Sequence, residues 1–169
     1  MLRRSITPNS KDQQHGYSDK SQIANGNTTF NETQARQNYY TVISRILDLL
    51  LEDEIDDEYG GETLPTKHAV NRVLAVLSNT YEILGTVFPK ASASTSFNGG
   101  IRVQWMHPQF SVRLIIPSVA DQDEYIFSED EETYGTEKVS AETLAANQNP
   151  ALAERLAGQL ARISRNLLS

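Results

Sequence analysis

The sequence predicts an α+β domain: two N-terminal helices packed on one face of a three- to five-stranded antiparallel β-meander, with a C-terminal amphipathic helix. Three observations predict it. Apolar residues recur at the helical period of about 3.6 before Pro89, alternate with a period of about 2 after it, and return to the helical period beyond Pro150. Asn98-Gly99 marks a hairpin between two alternating runs. Each element carries one apolar side, and such elements are stable only when they cover one another in layers.

The first helix is expected from about Thr33 to Leu51. Tyr39, Val42, Ile43, Ile46, Leu47, Leu49, Leu50 and Leu51 fill one broad arc, and Gln37, Thr41, Ser44, Arg45 and Asp48 fill the rest. An apolar arc that wide predicts a central helix contacted on two sides, or a helix that carries a partner interface. The residues before it, 1–32, are poor in large apolar side chains and read as a disordered polar tail, leaving 33–169 as a single domain. A second helix is expected from Thr66 to Leu84, where Val70, Val73, Leu74, Leu77, Tyr81 and Leu84 share a face. Pro65 marks its start and Gly85 its C-cap.

Strands follow. Ile101, Val103 and Trp105 alternate with Arg102 and Gln104, and Phe110, Val112, Leu114 and Ile116 alternate with Ser111 and Arg113 until Pro117. Asn98-Gly99 predicts a two-residue type I′ turn before the first run. Tyr125-Ile126-Phe127 gives a further core strand, and a short strand is expected to end at Val139. After Asn149-Pro150, the residues Leu152, Leu156, Leu160, Ile163 and Leu167 line one face of a last helix. Arg155, Gln159, Arg162, Arg165 and Asn166 make a basic outer face.

Composition narrows the chemistry. The 169 residues carry 15 Lys+Arg against 22 Asp+Glu, a net charge of −7, and no cysteine. No disulfide, thiolate nucleophile or cysteine metal site is therefore available. The acidic balance argues against direct nucleic-acid binding, which rests on Lys and Arg neutralising phosphates. No run approaches the roughly 18 apolar residues of a membrane span, so a cytoplasmic protein without membrane contact is expected. Signatures of phosphate-binding loops, nucleophile elbows and zinc proteases are missing, and no cofactor is expected.

Fourteen carboxylates sit in two stretches, at 52–62 and at 121–132. The first invites a calcium reading, but counting a calcium loop from Asp53 puts Ile55 at the third position, and counting from Asp56 puts Gly60 at the fifth and Lys67 at the twelfth. Both registers fail. His68 begins a helix and His107 lies in a turn, and neither has a sequence-placed partner. Trp105, Tyr125 and Phe127 alternate on strands and read first as core side chains, with a shared ligand cleft the alternative reading.

Gly99-Gly100-Ile101-Arg102-Val103-Gln104-Trp105, followed by the strand Val112 to Pro117, Tyr125-Ile126-Phe127 and an acidic loop, resembles a loose group of uncharacterised small bacterial proteins. They share a Gly-Gly-hydrophobic-x-hydrophobic-x-Trp hairpin preceded by a helix pair. The resemblance covers about 40 residues. It implies an encoded neighbour in the manner of toxin–antitoxin pairs, and it transfers fold better than function.

The functional expectation is a non-catalytic protein-binding module (antitoxin-like, immunity or accessory subunit) that engages a basic partner. The expected contacts are Asp53, Glu54, Asp56, Asp57 and Glu58 in the first stretch, and Glu129, Asp130, Glu131 and Glu132 in the second. Two alternatives stand beside it: an acidic mimic of nucleic acid that inhibits a nucleic-acid enzyme, and a small carboxylate-dependent metal enzyme. The oligomeric state is left open.

Overall fold

The computed structural model describes residues 21–51, 63–96, 98–139 and 150–166, with side chains from 31 to 164 within those spans. Two helices, α1 (Ser21–Asp48) and α2 (Lys67–Leu84), precede a five-stranded sheet, and a third helix, α3 (Pro150–Asn166), follows it. The strands are β1 (Ser92–Thr95), β2 (Ile101–His107), β3 (Phe110–Ile116), β4 (Glu124–Asp130) and β5 (Tyr134–Val139). They pair antiparallel in sequence order, β1-β2-β3-β4-β5, which is the expected meander.

Strand alternation sorts the side chains. Ile101, Val103 and Trp105 of β2, Val112, Leu114 and Ile116 of β3, and Ile126 of β4 are buried on the inner face. That face is covered by α2, which buries Val70, Val73 and Leu77, and by α3, which buries Leu152, Leu156, Leu160 and Ile163. Gly85 caps α2 as expected, while Pro65 stands just outside the helix, one residue before its N-cap, Thr66. The Thr66 hydroxyl accepts from Ala69 N–H at 3.2 Å and donates to the Ser118 carbonyl at 2.6 Å, and Gly85 (φ +54) donates its N–H to Tyr81.

Two expectations about α1 change. The helix starts at Ser21, inside the segment read as tail; residues 1–20 lie outside the described residues. It is also not central. Its buried side chains, Ala35, Val42 and Ile46, form one stripe that Leu49 continues just past the helix end, whereas Leu47 and, beyond the helix, Leu50 and Leu51 are exposed. The reason is position: α1 lies against β1 and the 3₁₀ turn Gly85–Val87, so one side faces the domain. Asn38 Nδ2 donates to the Phe88 carbonyl at 3.0 Å. Tyr39 stacks on Tyr81 at 4.4 Å between ring centres, and Phe88 meets both rings and Trp105 edge-on.

The hairpin at Asn98-Gly99 exists, with different geometry. Ser96 N–H donates to Gly100 O at 2.8 Å and Gly99 N–H to Ser96 O at 2.9 Å, so three residues separate the paired Ser96 and Gly100. With Gly99 at φ +80, this is the three-residue loop with a glycine bulge and not the two-residue type I′ turn. Gly99 also accepts from Thr66 N–H at 2.9 Å, and a Cβ there would lie 3.0 Å from the Leu64 carbonyl. The close approach fixes the leader of α2 against the hairpin.

Candidate functional site

The second acidic stretch does not form one surface. Strand β4 runs through it, and seven residues at about 3.3 Å each put its two ends about 20 Å apart. Asp123 and Glu124 lie at the end of the sheet that holds Gly99 and Ser118, and Glu129 to Glu132 lie at the other, beside Phe110.

Glu124 shares the inward parity of Ile126 and is 1% exposed. It takes two parallel hydrogen bonds from Arg72 of α2, Nε to Oε1 at 2.6 Å and Nη2 to Oε2 at 2.8 Å. Such a fork neutralises the buried carboxylate and fixes α2 on the sheet. Asp123 pairs with Lys138 at 2.6 Å, and that hydrogen bond and charge hold the Lys138 ammonium above the ordinary lysine range. These acids bind the domain to itself.

At the other end, Asp130 closes the β4–β5 turn. Its Oδ1 accepts from Thr133 N–H and Thr133 Oγ1, each at 2.7 Å, and from Glu132 N–H at 3.1 Å. The Thr133 hydroxyl, then the Glu132 amide, with Arg162 adding its charge, hold the Asp130 carboxyl below the ordinary aspartate range. Arg162 of α3 reaches Asp130 Oδ2 at 3.4 Å and lies 5.8 Å above the Phe110 ring. Asp130 is thus spent on shaping the turn, and it leaves Glu131 and Glu132 exposed at the tip.

Glu129 points to the outer face, in one row with Met106, Ser111 and Tyr134. Met106 is 71% and Tyr134 67% exposed, and Phe127 lies 6.4 Å from Tyr134. The expected acidic residues 129–132 are therefore together, joined by a thioether and a phenol that sequence reasoning did not place there. Strand parity alone carries that signal: counting by two from Phe127 and across the ladder reaches both. Asp53, Glu54, Asp56, Asp57 and Glu58 lie outside the described residues. The residues that follow them, Thr63 to Thr66, are anchored at the Gly99 end of the sheet, opposite the β4–β5 turn.

The basic side of α3 is not a separate surface either. Gln159 donates to Glu137 at 2.7 Å, Arg155 lies 4.0 Å from Glu137, and Arg162 meets Asp130, so that flank faces the β4–β5 hairpin. The shared cleft of Trp105, Tyr125 and Phe127 is overturned. Trp105 is fully buried on the inner face, while Tyr125 and Phe127 sit side by side on the outer one, 5.8 Å apart. His107 Nδ1 accepts from Gln109 N–H at 3.3 Å within its turn. A groove of about 340 Å³ between α1 and the 3₁₀ turn is lined by Asn31, Gln34, Asn38, Phe88, Lys90 and Ser164, with no carboxylate or imidazole among its lining side chains. Among the described residues no group of three or more His, Asp or Glu side chains is arranged to hold a metal, and no helix is long and apolar enough to cross a membrane. Comparisons with protein-family models, curated proteins and solved structures give no match.

Proposed function

We propose that this protein is a non-catalytic protein-binding module, of the antitoxin-like, immunity or accessory-subunit kind, that engages a basic partner through the β4–β5 turn. One observation carries the reading. The Asp130 carboxylate holds the turn, Glu131 and Glu132 stand exposed at its tip, and Glu129 stands exposed in one row with the apolar groups of Met106 and Tyr134. Exposed carboxylates speed the approach of a cationic surface, and an exposed aromatic ring with a methionine supplies the desolvated anchor that charge alone lacks. Asp53, Glu54, Asp56, Asp57 and Glu58 belong to the proposal on their sequence and charge.

The test is affinity capture from cells of the source organism at about 50 mM and about 150 mM salt. It compares the natural chain with Glu129→Lys/Glu131→Lys/Glu132→Lys. A basic protein bound by the natural chain, lost by the variant and weakened by salt is the expected result. A partner retained equally by the variant, or no specific partner at either salt, contradicts the proposal.

A further inference from the structure

The two edges of the sheet are treated differently. β1 is four residues long, lies beneath α1, and has its Ala93 carbonyl bonded by Arg45 Nε at 3.4 Å. β5 is six residues long, contains no proline, and pairs with β4 without a bulge from Glu124↔Val139 to Glu129↔Tyr134. Asp130 N–H donates to Thr133 O at 2.9 Å, and antiparallel bonding alternates. It follows that Gly135, Glu137 and Val139 turn their backbone groups toward β4. Tyr134, Thr136 and Lys138 turn theirs outward, where no described residue meets them. Natural sheets cover, shorten or bend such edges because an open one pairs with another chain.

We infer that two copies of this chain pair antiparallel through β5, about a two-fold axis at Thr136, into one continuous ten-stranded sheet. The register follows from the free groups. With the axis at Thr136, Tyr134 faces the second copy's Lys138, Thr136 faces the second copy's Thr136, and all three outward N–H and C=O sets are used. On the outer face each Tyr134 ring then lies beside the aliphatic stem of a lysine whose ammonium stays on Asp123, and the threonines meet on the axis, both favourable cross-strand pairs. On the inner face Glu137 falls opposite Gly135, so no like charges oppose. Moving the axis to Glu137 sets Glu137 against its copy. Moving it to Gly135 carries Lys138 past the end of the strand and loses a bonded pair. The self-complementary strand thus commits to a second copy as its occupant. This inference shares Tyr134 with the proposed partner surface but needs none of the carboxylates of the turn, so the Thr136 substitutions test it separately from the Glu129→Lys/Glu131→Lys/Glu132→Lys variant.

The chain has no cysteine, which allows a direct test. Two residues that exchange both hydrogen bonds have Cα atoms about 5.5 Å apart, within disulfide range. The variant Thr136→Cys is expected to form a disulfide-linked dimer under mild oxidant at about 100 μM chain, at least about tenfold faster than Asp121→Cys in the β3–β4 loop or Glu137→Cys one position off the axis. Sedimentation equilibrium of the cysteine-free chain is expected to show a dimer fraction rising between about 1 and about 500 μM. Thr136→Pro removes only an outward N–H and is expected to abolish that rise while the circular dichroism spectrum is retained. Should Thr136→Pro fail to fold, Tyr134→Lys, which sets lysine against lysine, takes its place. A chain that stays monomeric at about 500 μM, a dimer unaffected by these substitutions, or cross-linking no faster at 136 than at 121 overturns the inference.

Discussion

Removing the guanidinium that faces Glu124 isolates the electrostatic centre of this fold. Arg72→Met keeps much of the side-chain volume and leaves a carboxylate that is 1% exposed without its two hydrogen bonds of 2.6 and 2.8 Å. Breaking a buried ion pair from one side costs about 3–5 kcal/mol, because the surviving charge cannot return to water. Arg72 itself is 20% exposed, so some water reaches the site and the lower end applies, about 3 kcal/mol. For a domain of this size that lowers the melting temperature by roughly 6–12 °C. The double variant Arg72→Met/Glu124→Leu removes both charges, and a buried pair replaced by apolar groups of similar size is close to neutral. It is expected to lie within about 1 kcal/mol of the natural chain. Urea unfolding followed by circular dichroism measures all three. Two results refute the reasoning: a single variant that loses less than about 1 kcal/mol, or a double variant as unstable as the single one, which would place the cost in shape and not in charge.

Other predictions concern the turn and the core. Asp130 binds its proton less readily in the folded chain than in the unfolded one, so its contribution is present above the ordinary carboxylate range and is lost as pH falls through the lowered folded value. Asp130→Asn is therefore expected to speed hydrogen exchange at the Glu132 and Thr133 amides at neutral pH, with the difference from the natural chain fading as the carboxyl protonates; a difference unchanged at low pH contradicts this. The Trp105 indole N–H is buried with no acceptor among the described residues, and an unpaired buried donor costs about 1–3 kcal/mol. Trp105→Phe removes that donor along with part of the ring, so its net cost is expected to be about 1 kcal/mol or less, against about 3–5 kcal/mol for Trp105→Ala. Denaturant midpoints separate the two.

Much of the sheet was legible because its inner face is written in alternation. Ile101, Val103 and Trp105, then Val112, Leu114 and Ile116, leave one register in which all are buried together. The C-terminal end of α2 was legible because Gly85 acts locally through a positive φ, and its start was marked by Pro65, whereas the N-cap bond of Thr66 emerged only from the structure. The start of α1 was not, since residues 21–32 are mostly polar and show no apolar stripe. Nor was its place in the fold. Leu47, Leu49, Leu50 and Leu51 look equivalent in sequence, yet Leu49 is buried and Leu51 is 81% exposed, a difference set by the three-dimensional surroundings and not by local pattern. Charge was hardest to read. Glu124 and Asp130 belong to one acidic stretch, yet the first answers an arginine 52 residues away and the second its own turn. Parity along β4 separates both from Glu129, which shares the outward side of Tyr125 and Phe127. Ion pairs between distant elements leave no local periodicity, so proximity of carboxylates in the chain overstated the acidic surface.

The most direct measurement is the hydrogen-exchange footprint left by the basic partner on the natural chain. Slowed exchange is expected at the amides of Glu129 to Tyr134 and at Met106, absent when Glu129, Glu131 and Glu132 are all lysine. A footprint on the α1 groove around Asn38 and Lys90, with the β4–β5 turn unchanged, would contradict it.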